Sequence, residues 1–168
     1  MGRYRAPAPK SSPYITRDGY ERMDNEITAL WKRRAEVTKA VTAAAAEGDR
    51  SENAEYIYRK KELRGIDRRI RYIQKRLPEL TIVDSLPSDP SRVFFGAWVT
   101  VEDEAGGSHT YRIVGSDEID MDHNYVSMDA PLAKALFKKQ CDDEVEIKTP
   151  KGVSWYVILN IRYTDAAA

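Results

Sequence analysis

The stretch Gly48-Asp49-Arg50-Ser51-Glu52-Asn53-Ala54-Glu55-Tyr56 separates two segments that repeat apolar residues at the same heptad spacing. Before it, Tyr20, Met23, Ile27, Leu30, Val37 and Val41 step by threes and fours, interrupted by Arg34. After it, Tyr56, Leu63, Ile66, Ile70, Ile73 and Leu77 keep the same spacing, interrupted by Arg59. Two amphipathic helices joined by so short a turn bury both seams only by lying antiparallel, which makes the turn an exposed tip. At about 1.5 Å per residue, roughly 27 residues carry that tip on the order of 40 Å from the base, too far to serve a pocket in its own domain. Thr16 is a credible N-cap for the first helix, with Asp18 and Glu21 in its first turn. Gly48 follows its end, and Asp49 or Ser51 is expected to cap the second helix, since Asp49 and Glu52 have capping-box spacing. Pro78 closes that helix.

From Val93 the apolar period shortens to that of strands. Val93 to Val101 and His109 to Val114 flank a turn at Asp103 to Gly107, and Tyr125 to Met128 reads as a short third strand. Ala130 to Lys139 has helical spacing, and Glu144 to Lys148 and Ser154 to Tyr163 flank the turn Thr149-Pro150-Lys151-Gly152. The fold class is therefore α+β: an N-terminal antiparallel coiled-coil hairpin followed by a small antiparallel β-sheet domain with one helix. The expected organisation is a disordered basic Pro-rich tail at 1–13, the hairpin at 14–83, a linker at 84–91 and the sheet domain at 92–168. The sheet core is expected to use Phe94, Trp98, Val99, Ile113, Val145, Trp155, Val157 and Ile161.

Composition narrows the chemistry. Cys141 is the only cysteine and His109 and His123 the only histidines, which removes disulfide frameworks, thiol zinc clusters and most catalytic triads. No signal peptide or membrane span is apparent, so no membrane partner is expected, and the setting is expected to be cytoplasmic. The formal charge of +0 hides a split. Residues 1–80 carry 19 Lys+Arg against 12 Asp+Glu, and residues 81–168 carry 8 against 15. A basic half joined to an acidic one suggests different partners for each, nucleic acid among those for the first.

At the tip, Asp49, Glu52 and Glu55 crowd negative charge. Magnesium takes oxygen ligands and keeps several waters, so one or two carboxylates suffice to share an ion held elsewhere. The same residues also fit plain helix capping, and spacing alone leaves both readings open. Lys60, Arg64, Arg68, Arg71 and Lys75 form a basic stripe along the second helix, with Arg50 and Lys61 near the tip. Such a stripe attracts phosphates without reading bases, or it serves only as a solvated face.

The tip motif, Glu62-Leu63-Arg64-Gly65-Ile66-Asp67-Arg68-Arg69-Ile70-Arg71-Tyr72, Val93-Phe94-Phe95-Gly96-Ala97-Trp98-Val99, Tyr111-Arg112-Ile113-Val114-Gly115, Thr149-Pro150-Lys151-Gly152 and Ser154-Trp155-Tyr156-Val157 together resemble the bacterial Gre family of transcript cleavage factors, in particular its GreB branch. The resemblance runs from about Tyr14 to Tyr163 and implies an FKBP-like second domain. It implies a factor whose hairpin enters the secondary channel of a backtracked bacterial RNA polymerase. The polymerase's own active site then cleaves the nascent RNA 3′ segment, so the factor is not an enzyme by itself. On this resemblance Asp49 and Glu52 are the loaned catalytic acids, holding a Mg2+ shared with the polymerase, with Ser51 and Asn53 beside them. Arg50, Lys60, Lys61, Arg64 and Arg68 would contact RNA, and Asp129 and Pro131 would dock on the polymerase. Ala130 stands between those two where many relatives have Ser. A monomer is the simplest state for a chain that enters a narrow channel. Rival readings are a channel-binding inhibitor of the same architecture, a prolyl isomerase and a self-sufficient nuclease.

Overall fold

The computed structural model describes residues 6–48 and 53–164. The chain forms two compact units: Asp18–Leu80, and a second unit made of the residues up to Arg17 together with those from Thr81 onward.

In the helical unit, α1 (Arg17–Ala46) and α2 (Ala54–Arg76) are followed by a 3-10 turn at Leu77–Glu79. Val37, Ile66 and Ile70 are buried in the seam, with Ile27, Leu30, Val41 and Leu63 packed against them. The polar break at Arg34 and several flanking positions form cross-hairpin ion pairs. The Arg34 Nε donates to Asp67 at 2.6 Å, and Arg33 donates to Glu62 at 2.6 Å. Arg69 holds both oxygens of Glu26, at 2.6 and 2.9 Å. Glu26 near the start of α1 thus meets Arg69 late in α2, while Arg33 meets the earlier Glu62, as antiparallel helices require. Arg59, the other break, joins Glu55 at 2.8 Å and Glu62 at 3.0 Å. Exposed pairs of this kind add little stability. Their use is alignment, because a slipped register would leave them unmatched beside an otherwise uniform apolar seam.

In the second unit, β1 (Tyr14–Ile15) pairs in parallel with β2 (Thr81–Ile82). A five-stranded sheet contains β3 (Trp98–Asp103), β4 (Ser108–Val114), β5 (Tyr125–Ser127), β6 (Glu144–Thr149) and β7 (Gly152–Arg162), in the order β5-β4-β3-β7-β6. Its pairs are antiparallel except β4–β5, which is parallel and departs from the all-antiparallel expectation. The two strands are joined by the connection 115–124, in which Asp120 bridges to Tyr125. The helix α3 (Pro131–Leu136) is shorter than expected. The first sheet strand starts at Trp98, because Phe94–Ala97 forms a turn in which Gly96 takes φ +85.

The core consists of Val93, Ala97, Val99, Val101, Ile113, Ala133, Leu136, Val145 and Ile158. Trp155 and Val157, expected inside, lie on the outer face, and Trp155 is 46% exposed. A register shift in the β3–β7 pairing explains this, since Thr100 pairs with Asn160 but Val101 with Ile158. The extra residue, Leu159, breaks strict alternation, so Ile158 and Ile161 both serve the core side. Trp98 is also on the outer face, because its neighbours Val99 and Val101 point inward.

The segment before α1 is built into this unit. Glu118, only 6% exposed, accepts from the backbone N of Thr16 at 3.0 Å, from the Thr16 hydroxyl, and from the Gly115 N at 2.8 Å. A Cβ at Gly115 would lie 2.1 Å from the Tyr14 carbonyl oxygen, so only glycine permits this approach. The unit boundaries therefore fall at 17/18 and 80/81, whereas the sequence suggested 13/14 and 83/84. Among the described residues, no helix is long and apolar enough to cross a membrane.

Glu62 accepts from Arg33 and Arg59, and the Arg33 hydrogen bond holds its carboxyl below the usual carboxylate range. A lowered folded value means stability that is present at neutral pH and lost as pH falls through that value. Acid titration of helicity at low salt should therefore show wild type and Glu62→Gln converging once Glu62 protonates. Parallel curves over the whole acid range would show that this pairing contributes nothing.

Candidate functional site

Among the described residues, one side chain at the hairpin turn bonds to both helices. Ala43 to Ala46 favour helix up to the end of α1, where the Glu47 N still donates to the Ala44 carbonyl at 3.3 Å. Gly48 then takes φ +144, a conformation that L side chains rarely adopt. Asn53, at φ −81 and ψ 99, is the N-cap of α2: its Oδ1 accepts from the Tyr56 N at 3.0 Å. Its Nδ2 donates across the hairpin to the Ala44 carbonyl at 2.7 Å. One amide thus satisfies an orphan donor of α2 and adds a second bond to a carbonyl in the last turn of α1.

This corrects the expectation that Asp49 or Ser51 caps α2. Asp49, Arg50, Ser51 and Glu52 themselves lie outside the described residues. With the cap supplied by Asn53, α2 does not need the Asp49 or Glu52 carboxylate to start. Glu55 is engaged with Arg59. Among the described residues, no group of three or more His, Cys, Asp and Glu is arranged to hold a metal ion.

The basic stripe differs from the other arginines of the hairpin. Arg33, Arg34, Arg59 and Arg69 all hold carboxylates. Lys60, Lys61, Arg64, Arg68, Arg71 and Lys75 are exposed, and among the described residues none holds one. Lys60 lies 5.2 Å over the ring of Tyr56. Arg71 lines an open groove with Trp31, Arg34, Asp67, Ile70 and Gln74. Among the described residues, the stripe is therefore a set of cations without carboxylate partners running up α2 from its first turns.

In the second unit, Asp129 follows β5 and Pro131 is the first residue of α3, with Ala130 at the N-cap position. Proline there has the backbone angle a first turn requires. The Asp129 carboxylate accepts from the backbone N of Ser12 at 2.8 Å and from the Ser12 hydroxyl. The end of the segment expected as a free tail is therefore tied to a candidate docking acid, a contact between residues so distant in sequence that no local pattern reveals it.

Residues 13–82 match the family model described as transcription elongation factor, N-terminal, and residues 87–163 match that of transcription elongation factor GreA/GreB, C-terminal. The chain belongs to the GreA/GreB family of transcription elongation factors. Within it the chain falls in the GreB branch: it is 52% identical over 167 residues to transcription elongation factor GreB of Pseudomonas aeruginosa, covering 99% of each chain. It is 54% identical over 153 residues to GreB of Yersinia pestis, covering 90% of each. Among solved structures it is similar to the transcription factor Gfh1, with a TM-score of 0.45 and 22% identity over 91% of this chain and 99% of that one.

Removing the Asn53 side chain should destabilise the hairpin by about 1–2 kcal/mol, the range for a lost N-cap. Asp49→Asn and Glu52→Gln should stay within about 0.5 kcal/mol of wild type, because Asn53 supplies the N-cap of α2. Urea melting of the full chain checks both. Equal losses in all three variants would make the tip acids structural.

Proposed function

We propose that the chain engages a backtracked bacterial RNA polymerase, inserting its hairpin into the secondary channel so that the tip reaches the polymerase active site and stimulates cleavage of the nascent RNA 3′ segment. The observation that carries this reading is the Asn53 closure, which caps α2 without a carboxylate. Two helices of 30 and 23 residues supply the reach, roughly 35–45 Å at 1.5 Å per residue. An oxygen-only donor pair suits magnesium, which tolerates few protein ligands when the rest of its shell comes from water or another molecule. Asp49 and Glu52 would be the holding residues, and the ion they share with the polymerase would supply Lewis-acid activation of a water. This chain's own part is to bring two carboxylates to that place, to draw RNA phosphates along Lys60, Lys61, Arg64 and Arg68 with Arg50 beside the tip, and to anchor through Asp129 and Pro131. Ser51 and Asn53 flank the acids, Asn53 by holding the turn. In this reading the protein acts as a cytoplasmic monomer and cuts no RNA without polymerase.

The full chain should be assayed on stalled, backtracked complexes. Asp49→Asn with Glu52→Gln should bind polymerase as wild type does, while stimulated cleavage falls by orders of magnitude, as for a transition-state metal that loses ligands. Raised magnesium should restore part of it by mass action. Wild-type cleavage by the double variant would refute the role of the acids, and cleavage of RNA by the factor alone would make it a nuclease.

Replacing Lys60, Arg64 and Arg68 with Ala should reduce cleavage of deeply backtracked complexes, more at low salt than at high, because phosphate attraction is screened. Complexes backtracked by one step should change little. Equal loss on both substrates would place the stripe in docking rather than RNA contact.

A further inference from the structure

Four strands of the sheet present one row of side chains on the outer face. The pairings Tyr125↔Arg112, Arg112↔Trp98 and Trp98↔Arg162 put an aromatic, a cation, an aromatic and a cation side by side across β5, β4, β3 and β7. The Arg112 Cζ is 5.4 Å from the Trp98 ring centroid and 5.5 Å from that of Tyr125, and the Arg162 Cζ is 4.9 Å from Trp98. The two rings approach edge to face, 5.7 Å between centroids, around Arg112. Ring faces attract cations, which lets guanidinium groups sit here without an acid.

In the same unit Arg17 holds Asp84 at 2.5 Å and Arg92 holds Asp89 at 3.2 Å. Among the described residues neither Arg112 nor Arg162 holds a carboxylate, although this half of the chain is rich in acids. The row also contains two buried donors without acceptors, the Trp98 Nε1 and the Arg112 Nε. Both are N–H groups, so what the row lacks is an acceptor, and unsatisfied buried donors are uncommon. Arg112 as a whole is half-buried. Arg162 gives one Nη to the Thr164 carbonyl at 2.9 Å and keeps further donors.

We propose that this row is a second polymerase contact, which receives an acidic side chain of the polymerase surface between the guanidinium groups of Arg112 and Arg162. This rests on the polymerase-binding reading above. A carboxylate fits because a guanidinium edge matches its two oxygens. A polyanionic strand fits badly. The next outward row is neutral, with Thr100 paired to Thr110 and Asn160, and the one beyond it brings Glu102 opposite Val157. Glu144 and Glu146 on β6 add further acids to the same face. The row accommodates one or two negative charges and then repels. It is also continuous with the candidate docking segment, since β5, which supplies Tyr125, runs on into Asp129.

The test is equilibrium binding of the full chain to core RNA polymerase without nucleic acid, in parallel with binding to single-stranded RNA. Arg112→Gln with Arg162→Gln should bind the polymerase at least tenfold more weakly, with a shallower salt dependence. Its maximal cleavage on backtracked complexes at saturating factor should be unchanged, a split that a damaged hairpin would not give. Arg162→Gln alone, at the end of the row, should show part of the loss and serves if the double variant melts earlier than wild type. Arg162→Lys should restore less than full affinity, because lysine keeps the charge and not the fork. Folded variants that bind polymerase as tightly as wild type overturn the proposal while leaving the functional reading intact. A loss confined to RNA binding overturns it in favour of a nucleic-acid contact. A wild-type chain that does not bind polymerase removes the functional reading, and this one with it.

Discussion

A helical hairpin inserted into a chain has to leave and return at the same place, and the parallel pair β1–β2 is that place. Tyr14 and Ile15 lie beside Thr81 and Ile82, so the excursion from Asp18 to Leu80 begins and ends on adjacent strands. The pair is only two residues long and has little strength of its own. The buried carboxylate of Glu118 holds it by accepting from Thr16, and Gly115 allows the backbone of Tyr14 to come close. A carboxylate taken from water has to be repaid in hydrogen bonds, and here backbone and hydroxyl donors of a distant segment supply them. The segment before α1 is thereby part of the sheet-bearing unit.

Within the hairpin, apolar burial and polar pairing divide the work. Val37, Ile66 and Ile70 provide the non-directional attraction, which by itself tolerates sliding by a turn. Arg34 with Asp67 and Arg69 with Glu26 make sliding costly. The Asn53 amide then ends the two helices at a common point by bonding to α2 and α1 at once. Length, register and closure thus converge on the Ala44–Asn53 contact.

Arginine and lysine side chains fall into two populations. Arg33, Arg34, Arg59 and Arg69 on the hairpin, with Arg17 and Arg92 in the other unit, hold acids and serve architecture. Those on the α2 stripe and in the Trp98 row are exposed or stacked on rings, with no carboxylate among the described residues. Among the described residues, both the α2 stripe and the Trp98 row thus carry cations that hold no carboxylate.

The heptads, the short acidic turn and the shift to a two-residue period were enough to read the two-part α+β architecture directly, because amphipathic periodicity is local and each element repeats it many times. Strand positions after Trp98 were legible within a residue or two for the same reason. Which residue caps α2 was not legible: Asp49, Ser51 and Asn53 are all competent caps, and the choice fell to the one that also meets the Ala44 carbonyl. The faces of Trp155 and Val157 were misread because a single extra residue, Leu159, inverts alternation, and a bulge is decided by the partner strand. The parallel direction of β5, the clasp of Ser12 on Asp129 and the burial of Glu118 join residues far apart in the chain. The row of Tyr125, Arg112, Trp98 and Arg162 likewise exists only once four strands are in register. Sequence determines what is periodic and local, whereas contacts between distant segments depend on how the sheet and its connections close in three dimensions.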